Sequence, residues 1–107
     1  MVIAEISIFP IDKGISLSKY VARVIKRLQE MNNISISLNP MGTVIEGKWE
    51  DILKAVDISF KELEKDCDRI YMTLKVDYKK GRERGIEKKV ESVKSKLENI
   101  NLLQDKN

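Results

Sequence analysis

The turn at Asn39-Pro40-Met41-Gly42 constrains this chain more than any other stretch. Two alternating runs meet there. Ile34, Ile36 and Leu38 alternate with Ser35, Ser37 and Asn39 before it, and Thr43-Val44-Ile45-Glu46-Gly47 follows it. A residue before proline is pushed out of the helical region, and glycine is free to take a positive φ. The β-branched side chains of Thr43, Val44 and Ile45 suit a strand. The stretch therefore reads as an antiparallel hairpin, with strands over 34–39 and 43–48.

The hairpin sits between helical periods. Leu17, Tyr20, Val21, Val24, Ile25, Leu28 and Met31 form one stripe, predicting a helix over 17–31 capped by Ser16 or Ser18. Trp49, Ile52, Leu53, Val56, Phe60 and Leu63 form a second, over 49–65. Glu50 and Asp51 occupy its first turn, where the helix dipole favours them. Strands flank both ends. In 2–9, Val2, Ala4, Ile6 and Ile8 alternate with Ile3, Glu5, Ser7 and Phe9, and Pro10 closes the run. In 69–78, Ile70, Met72, Leu74, Val76 and Tyr78 share one face, and Tyr71, Thr73, Lys75 and Asp77 the other. A last helix is predicted over 85–98 from Ile86, Val90, Val93 and Leu97. Ile100, Leu102 and Leu103 in the tail are available to dock on a partner.

The order is β-α-β-β-α-β-α. Right-handed crossovers around a central hairpin give an α+β ferredoxin-like sandwich with antiparallel sheet order 4-1-3-2 and an added C-terminal helix. At 107 residues the chain is one domain, 1–107.

Composition narrows the function. The sequence has no histidine, which removes Ser-His-Asp triads, Cys-His pairs and histidine metal ligands. No nucleophile–base pair stands in view, so the expectation is a binding protein, not an enzyme, with no catalytic residue, metal or cofactor. Glu46, Lys75 and Asp77 are the acids and bases an unrecognised enzyme would use. Twenty basic against seventeen acidic residues leave +3, too small a surplus to imply nucleic acid. The third strand lacks the aromatics on which an RNA-recognition motif stacks bases. Gly81-Arg82-Glu83-Arg84-Gly85 has the wrong glycine spacing for a phosphate loop. No run is long enough to span a membrane, and Met1-Val2-Ile3-Ala4-Glu5 lacks the basic start of a signal peptide. With Cys67 alone, the expected location is cytoplasmic.

Two helices cover one face of a four-stranded sheet. The other face should carry Glu5, Ser7, Ser35, Ser37, Asn39, Thr73, Lys75 and Asp77. The third strand adds either Val44 with Glu46 or Thr43 with Ile45. Alternation does not choose, but Ile45 suits a core, which places Glu46 on the open face. A wetted sheet face is the plainer reading of this polar set. A second chain laid against it would turn it into a pocket. Ile3, Phe9 and Tyr71 on that face, and the unplaced stripe of the last helix, point to a homodimer or homotetramer.

Met1-Val2-Ile3-Ala4-Glu5-Ile6, Leu17-Ser18-Lys19-Tyr20-Val21-Ala22, Asn39 to Gly47, and Thr73-Leu74-Lys75-Val76-Asp77 together resemble the thiamine-binding protein family of small archaeal and bacterial proteins. The resemblance covers nearly the whole chain, and Pro40 to Gly47 is its most specific part. It implies a ferredoxin-like fold, assembly into dimers and tetramers, and binding of thiamine or its hydroxymethylpyrimidine moiety. The motif positions carried over are Asn39, Gly42, Thr43 and Glu46. On that reading Asn39, Ser7, Ser37 and Thr43 hydrogen-bond the aminopyrimidine, with Thr73 beside them on the open face. Glu46 accepts from the amino group or offsets the thiazolium charge, and Tyr20 or Tyr71 stacks on the ring. The alternative is a regulatory ferredoxin-like module that binds an amino acid or another small metabolite.

Overall fold

A computed structural model describes residues 1–97 of the chain. Its elements are β1 (Val2–Pro10), α1 (Ser18–Gln29), β2 (Ser35–Asn39), β3 (Gly42–Gly47), α2 (Trp49–Glu64), β4 (Ile70–Tyr78) and α3 (Gly85–Lys96). The sheet order is β2-β3-β1-β4, every pairing antiparallel. This is the predicted ferredoxin-like order, with each boundary within two residues of expectation. The predicted end of α3 at 98 and the apolar tail residues lie outside the described residues.

Register decides which side chains share a face. Ala4 pairs with Ile45 and Val76, and Ile3 with Glu46 and Asp77. Val2, Ala4, Ile6, Ile8 and Ile45 therefore point together toward the helices and are buried with Leu28, Ile52 and Leu63. Full burial of one such aliphatic side chain contributes about 1.5–3 kcal/mol. Val44 and Glu46 fall on the open face, as the fit of Ile45 to the core required.

Three expectations need correction. Neither Ser16 nor Ser18 caps α1; its N-cap is Leu17, and no side chain bonds the first turn. Gly42 does not take a positive φ; Gly14 and Gly81 do. A Cβ at Gly42 would lie 3.2 Å from the Ile6 carbonyl oxygen and 3.3 Å from Glu5 Cγ, so close approach explains the glycine. The face α2 buries is also rotated from the apolar stripe. It consists of Ile52, Ala55, Ser59, Glu62 and Leu63, while Trp49, Leu53 and Phe60 remain exposed. Small Ala55 and Ser59 let the helix approach the sheet, and the Ser59 hydroxyl donates to the Ala55 carbonyl at 2.8 Å.

Arg23 joins the two covering helices. Its guanidinium donates to Glu62 Oε2 at 3.1 Å, to the Glu62 carbonyl at 2.8 Å, and to both Asp66 oxygens at 2.9 Å. The bidentate arrangement fixes the pair geometrically as well as electrostatically.

Candidate ligand-binding site

The site begins with a mismatch in strand length. β1 pairs with β4 through Pro10, but its pairing with β3 stops at Ile6 opposite Thr43. The Ile11 N–H donates to the Arg69 carbonyl at 2.9 Å, in register with Pro10 opposite Ile70. In an antiparallel ladder the residues that exchange hydrogen bonds alternate. Odd residues of β1 therefore turn their peptide groups toward β4, and even residues toward β3. Ile8 faces the β3 side with no β3 residue opposite. Pro10, next in that series, has no N–H to leave unpaired.

The hairpin turn and α1 close around this frayed edge. They leave a cavity of about 250 Å³, lined by Ser7, Ile8 and Phe9 of β1, Asn39 to Thr43 of the turn, and Leu17, Val21 and Ile25 from α1 and its approach. The walls are chiefly apolar. The polar residues among the lining are Ser7, Asn39 and Thr43, with the Ser7 side chain on the open-face side of β1 and that of Thr43 on the helix side of β3. Leu38 and Met41 near the turn are exposed.

The nine residues singled out from sequence divide among three places. Ser7, Asn39, Gly42 and Thr43 line the cavity. Ser37, Tyr71 and Thr73 lie on the open face, where Thr73 is opposite Ser7 and Ser37 opposite Val44. Tyr71 stacks on Phe9 with ring centroids 5.8 Å apart. Thr43 cannot join the open-face set. It is three residues from Glu46, and odd spacing along a strand puts the two on opposite sides. Tyr20 is buried in the helix-side core, with Lys19 and Arg23 over its ring at 5.1 and 5.6 Å, so its face already has cations.

Glu46 is on the predicted face but is not an open carboxylate. It is only 6% exposed, and its Oε2 accepts the Gly85 N–H at 2.5 Å. The first N–H groups of a helix have no partner within it, and an anion there is favoured by the dipole. Glu46 thus seats the start of α3 against the sheet. Asp77, opposite Ile3 in the next strand, pairs with Lys89 of α3 and with Arg82 before it. Lys89, and then Arg82, hold the Asp77 carboxyl below its usual range.

Sequence reasoning placed Glu5 on the open face but left it out of the site. Its side chain is half exposed, it makes a 3.9 Å ion contact with Lys75, and it touches the space a Cβ at Gly42 would fill. Glu5, not Glu46, is the accessible carboxylate beside the hairpin turn. The signal was the register: Glu5 lies opposite Val44, two residues along β3 from Gly42 and on the same face.

Comparison with known proteins identifies the family and agrees on the fold. The profile of the thiamine-binding protein family matches residues 4–94. A UPF0045 protein of Methanocaldococcus jannaschii is 39% identical over 92 residues, 86% of this chain and 91% of that protein. A UPF0045 protein of Methanothermobacter thermautotrophicus is 35% identical over 100 residues, 91% of this chain and all of that protein. The crystal structure of the Methanocaldococcus jannaschii protein superposes with a TM-score of 0.77, covering 87% of this chain and 95% of that one. A Thermotoga maritima protein, provisionally described as one of thiamine biosynthesis or salvage, superposes at 0.75 with 27% identity, covering 86% and 97%. The chain belongs to the thiamine-binding protein family.

Proposed function

We propose that the protein binds thiamine or its hydroxymethylpyrimidine moiety, without transforming it, in the cavity between α1 and the β2–β3 turn. The observation that carries this reading is the convergence of the motif turn, Asn39 to Thr43, with an apolar cavity at a frayed strand edge. An aminopyrimidine presents a donor beside ring acceptors. The Asn39 amide and the Ser7 and Thr43 hydroxyls offer both types, and so does the peptide of Ile8, which has no β3 residue opposite it. The apolar walls from Leu17, Val21 and Ile25 match the ring faces.

Isothermal titration calorimetry tests the reading. Heat is expected from thiamine, from hydroxymethylpyrimidine, or from both. Replacing Asn39 by Ala is expected to weaken binding by about 0.5–1.5 kcal/mol, the net value of one hydrogen bond. Absence of heat from both compounds at millimolar concentration, or an unchanged affinity in the variant, overturns the site. A free amino acid that binds in their place favours the regulatory-module reading.

A further inference from the structure

We propose that a cleft at the far end of β3, built around the Glu46 carboxylate, is a second binding site, and that it takes the ammonium group of a short aliphatic amine. Glu46 is four residues along β3 from Gly42, roughly 13 Å at strand spacing. The site is therefore separate from the cavity at the hairpin turn.

Glu46 and Glu62 are the two buried acids among the described residues, 6 and 8% exposed. Taking a carboxylate out of water is costly unless a cation or several donors replace the water. Glu62 has three cations: Lys65 at 2.9 Å, Arg23 at 3.1 Å and Arg27 at 3.7 Å. Glu46 has none among the described residues. Its Oε2 accepts the Gly85 N–H, and its Oε1 has no partner among them. The cations close by are committed elsewhere. Arg82 pairs with Asp77, Arg84 with Glu87 at 3.8 Å, and the Met1 ammonium donates to the Arg82 carbonyl at 3.2 Å.

Glu46 lines a cleft of about 380 Å³ between the start of β2, the end of β3 and the loop before α3. Ser35 is directly opposite Glu46 in the β2–β3 pairing, so its hydroxyl and the carboxylate share the open face. Asn32 and Asn33 bring amides from the α1–β2 connection, and Glu83 brings a second carboxylate from the loop before α3. An ammonium has three donors and no acceptor. The Glu46 Oε1, the Ser35 hydroxyl and an asparagine carbonyl supply acceptors for all three.

The rest of the lining selects among cations. A calcium or magnesium cage needs six or more oxygens, several of them carboxylate. Among the described residues no three acidic or cysteine side chains come together in that way. Met1 and Ile34 complete the cleft, and their apolar side chains give methylene groups a wall. That favours an alkyl ammonium over a bare ion. Arg84 also borders the cleft, and its positive charge opposes a second ammonium, so the occupant is a monoamine.

An NMR titration with n-butylamine, in amine-free buffer at constant ionic strength, tests the site. The Gly85 amide, which shares the Glu46 carboxylate, and the side-chain amides of Asn32 and Asn33 should shift and saturate in the millimolar range. Tetramethylammonium, a cation without an N–H, should not move them. Glu46→Gln keeps a carbonyl oxygen for the Gly85 N–H, so the circular dichroism should be unchanged. It should weaken butylamine binding at least about tenfold, the loss of a hydrogen bond to a charged group. Ser35→Ala, at an exposed strand position, is the independent check and should weaken binding about two- to tenfold, one neutral hydrogen bond. No saturable shift in the wild type, an equal response to tetramethylammonium, or an unchanged affinity in either variant overturns the proposal. Saturating thiamine should leave the butylamine titration unaltered, and displacement by it would overturn the separate site. Absence of amine binding leaves the thiamine reading standing, and absence of thiamine binding leaves this one, so the two fail separately.

Discussion

At the scale of the residue, the chemistry of Glu46 depends on a contact 39 positions away in sequence. Its face was legible, because Ile45 beside it fits the core and side chains alternate. Its partner was not, because no local pattern says that the loop after β4 folds back over Ile3. A Cβ at Gly85 would stand 2.6 Å from Ile3 Cδ1, which shows how closely that loop lies. Glu46→Ala would leave the Gly85 N–H without its acceptor, at about 1–3 kcal/mol for a buried unpaired donor. The expected result is a lower melting temperature and faster amide exchange at Gly85 and in the first turn of α3. Unchanged exchange there would show that the carboxylate does not hold the helix. Thr43 teaches the complementary lesson. Its odd separation from Glu46 was visible in the sequence, and it suffices to put the two on opposite sides.

At the scale of the element, α1 and α2 are joined by charge as well as by packing. Arg23, through its bonds to Asp66, lowers that carboxyl below its ordinary value, and Lys65 and then Arg23 lower Glu62. A carboxyl with a depressed folded pKa holds fewer protons folded than unfolded. Its stabilisation is complete above the ordinary carboxylate range, about pH 4, and is lost as pH falls through the lower folded value. Asp12, which accepts the Asp68 N–H, and Asp77 contribute with the same sign. The urea midpoint is therefore expected to fall between pH 7 and pH 3. Arg23→Gln should lower it at pH 7 and shrink its further fall on acidification. A fall of undiminished size in that variant would assign the acid sensitivity elsewhere. The helices themselves were legible from their stripes. Which flank of α2 meets the sheet was not. Periodicity locates apolar positions, and the small residues Ala55 and Ser59 then decide the close approach.

At the scale of the whole molecule, the sheet has two unlike edges, and the apolar residues follow that asymmetry. The hairpin edge carries the cavity and the motif turn. The β4 edge carries outward peptide groups beside the exposed flank of α2. Sequence order was enough to give the topology, since two crossovers and one hairpin leave few alternatives. It did not show that Trp49, inside an apparently core-facing stripe, stays 47% exposed beside Val76 and Tyr78. An amphipathic stripe reads the same whether its cover comes from its own sheet or from another subunit. Trp49 is the sequence's single tryptophan, which makes it a reporter of that cover. If a second subunit covers the α2 flank, dilution from tens of micromolar to the nanomolar range should shift its emission to longer wavelength. The scattering mass should fall over the same range. Val76→Lys should show the long-wavelength emission at every concentration. An emission maximum that stays fixed while the mass falls would remove the α2 flank from the contact between subunits.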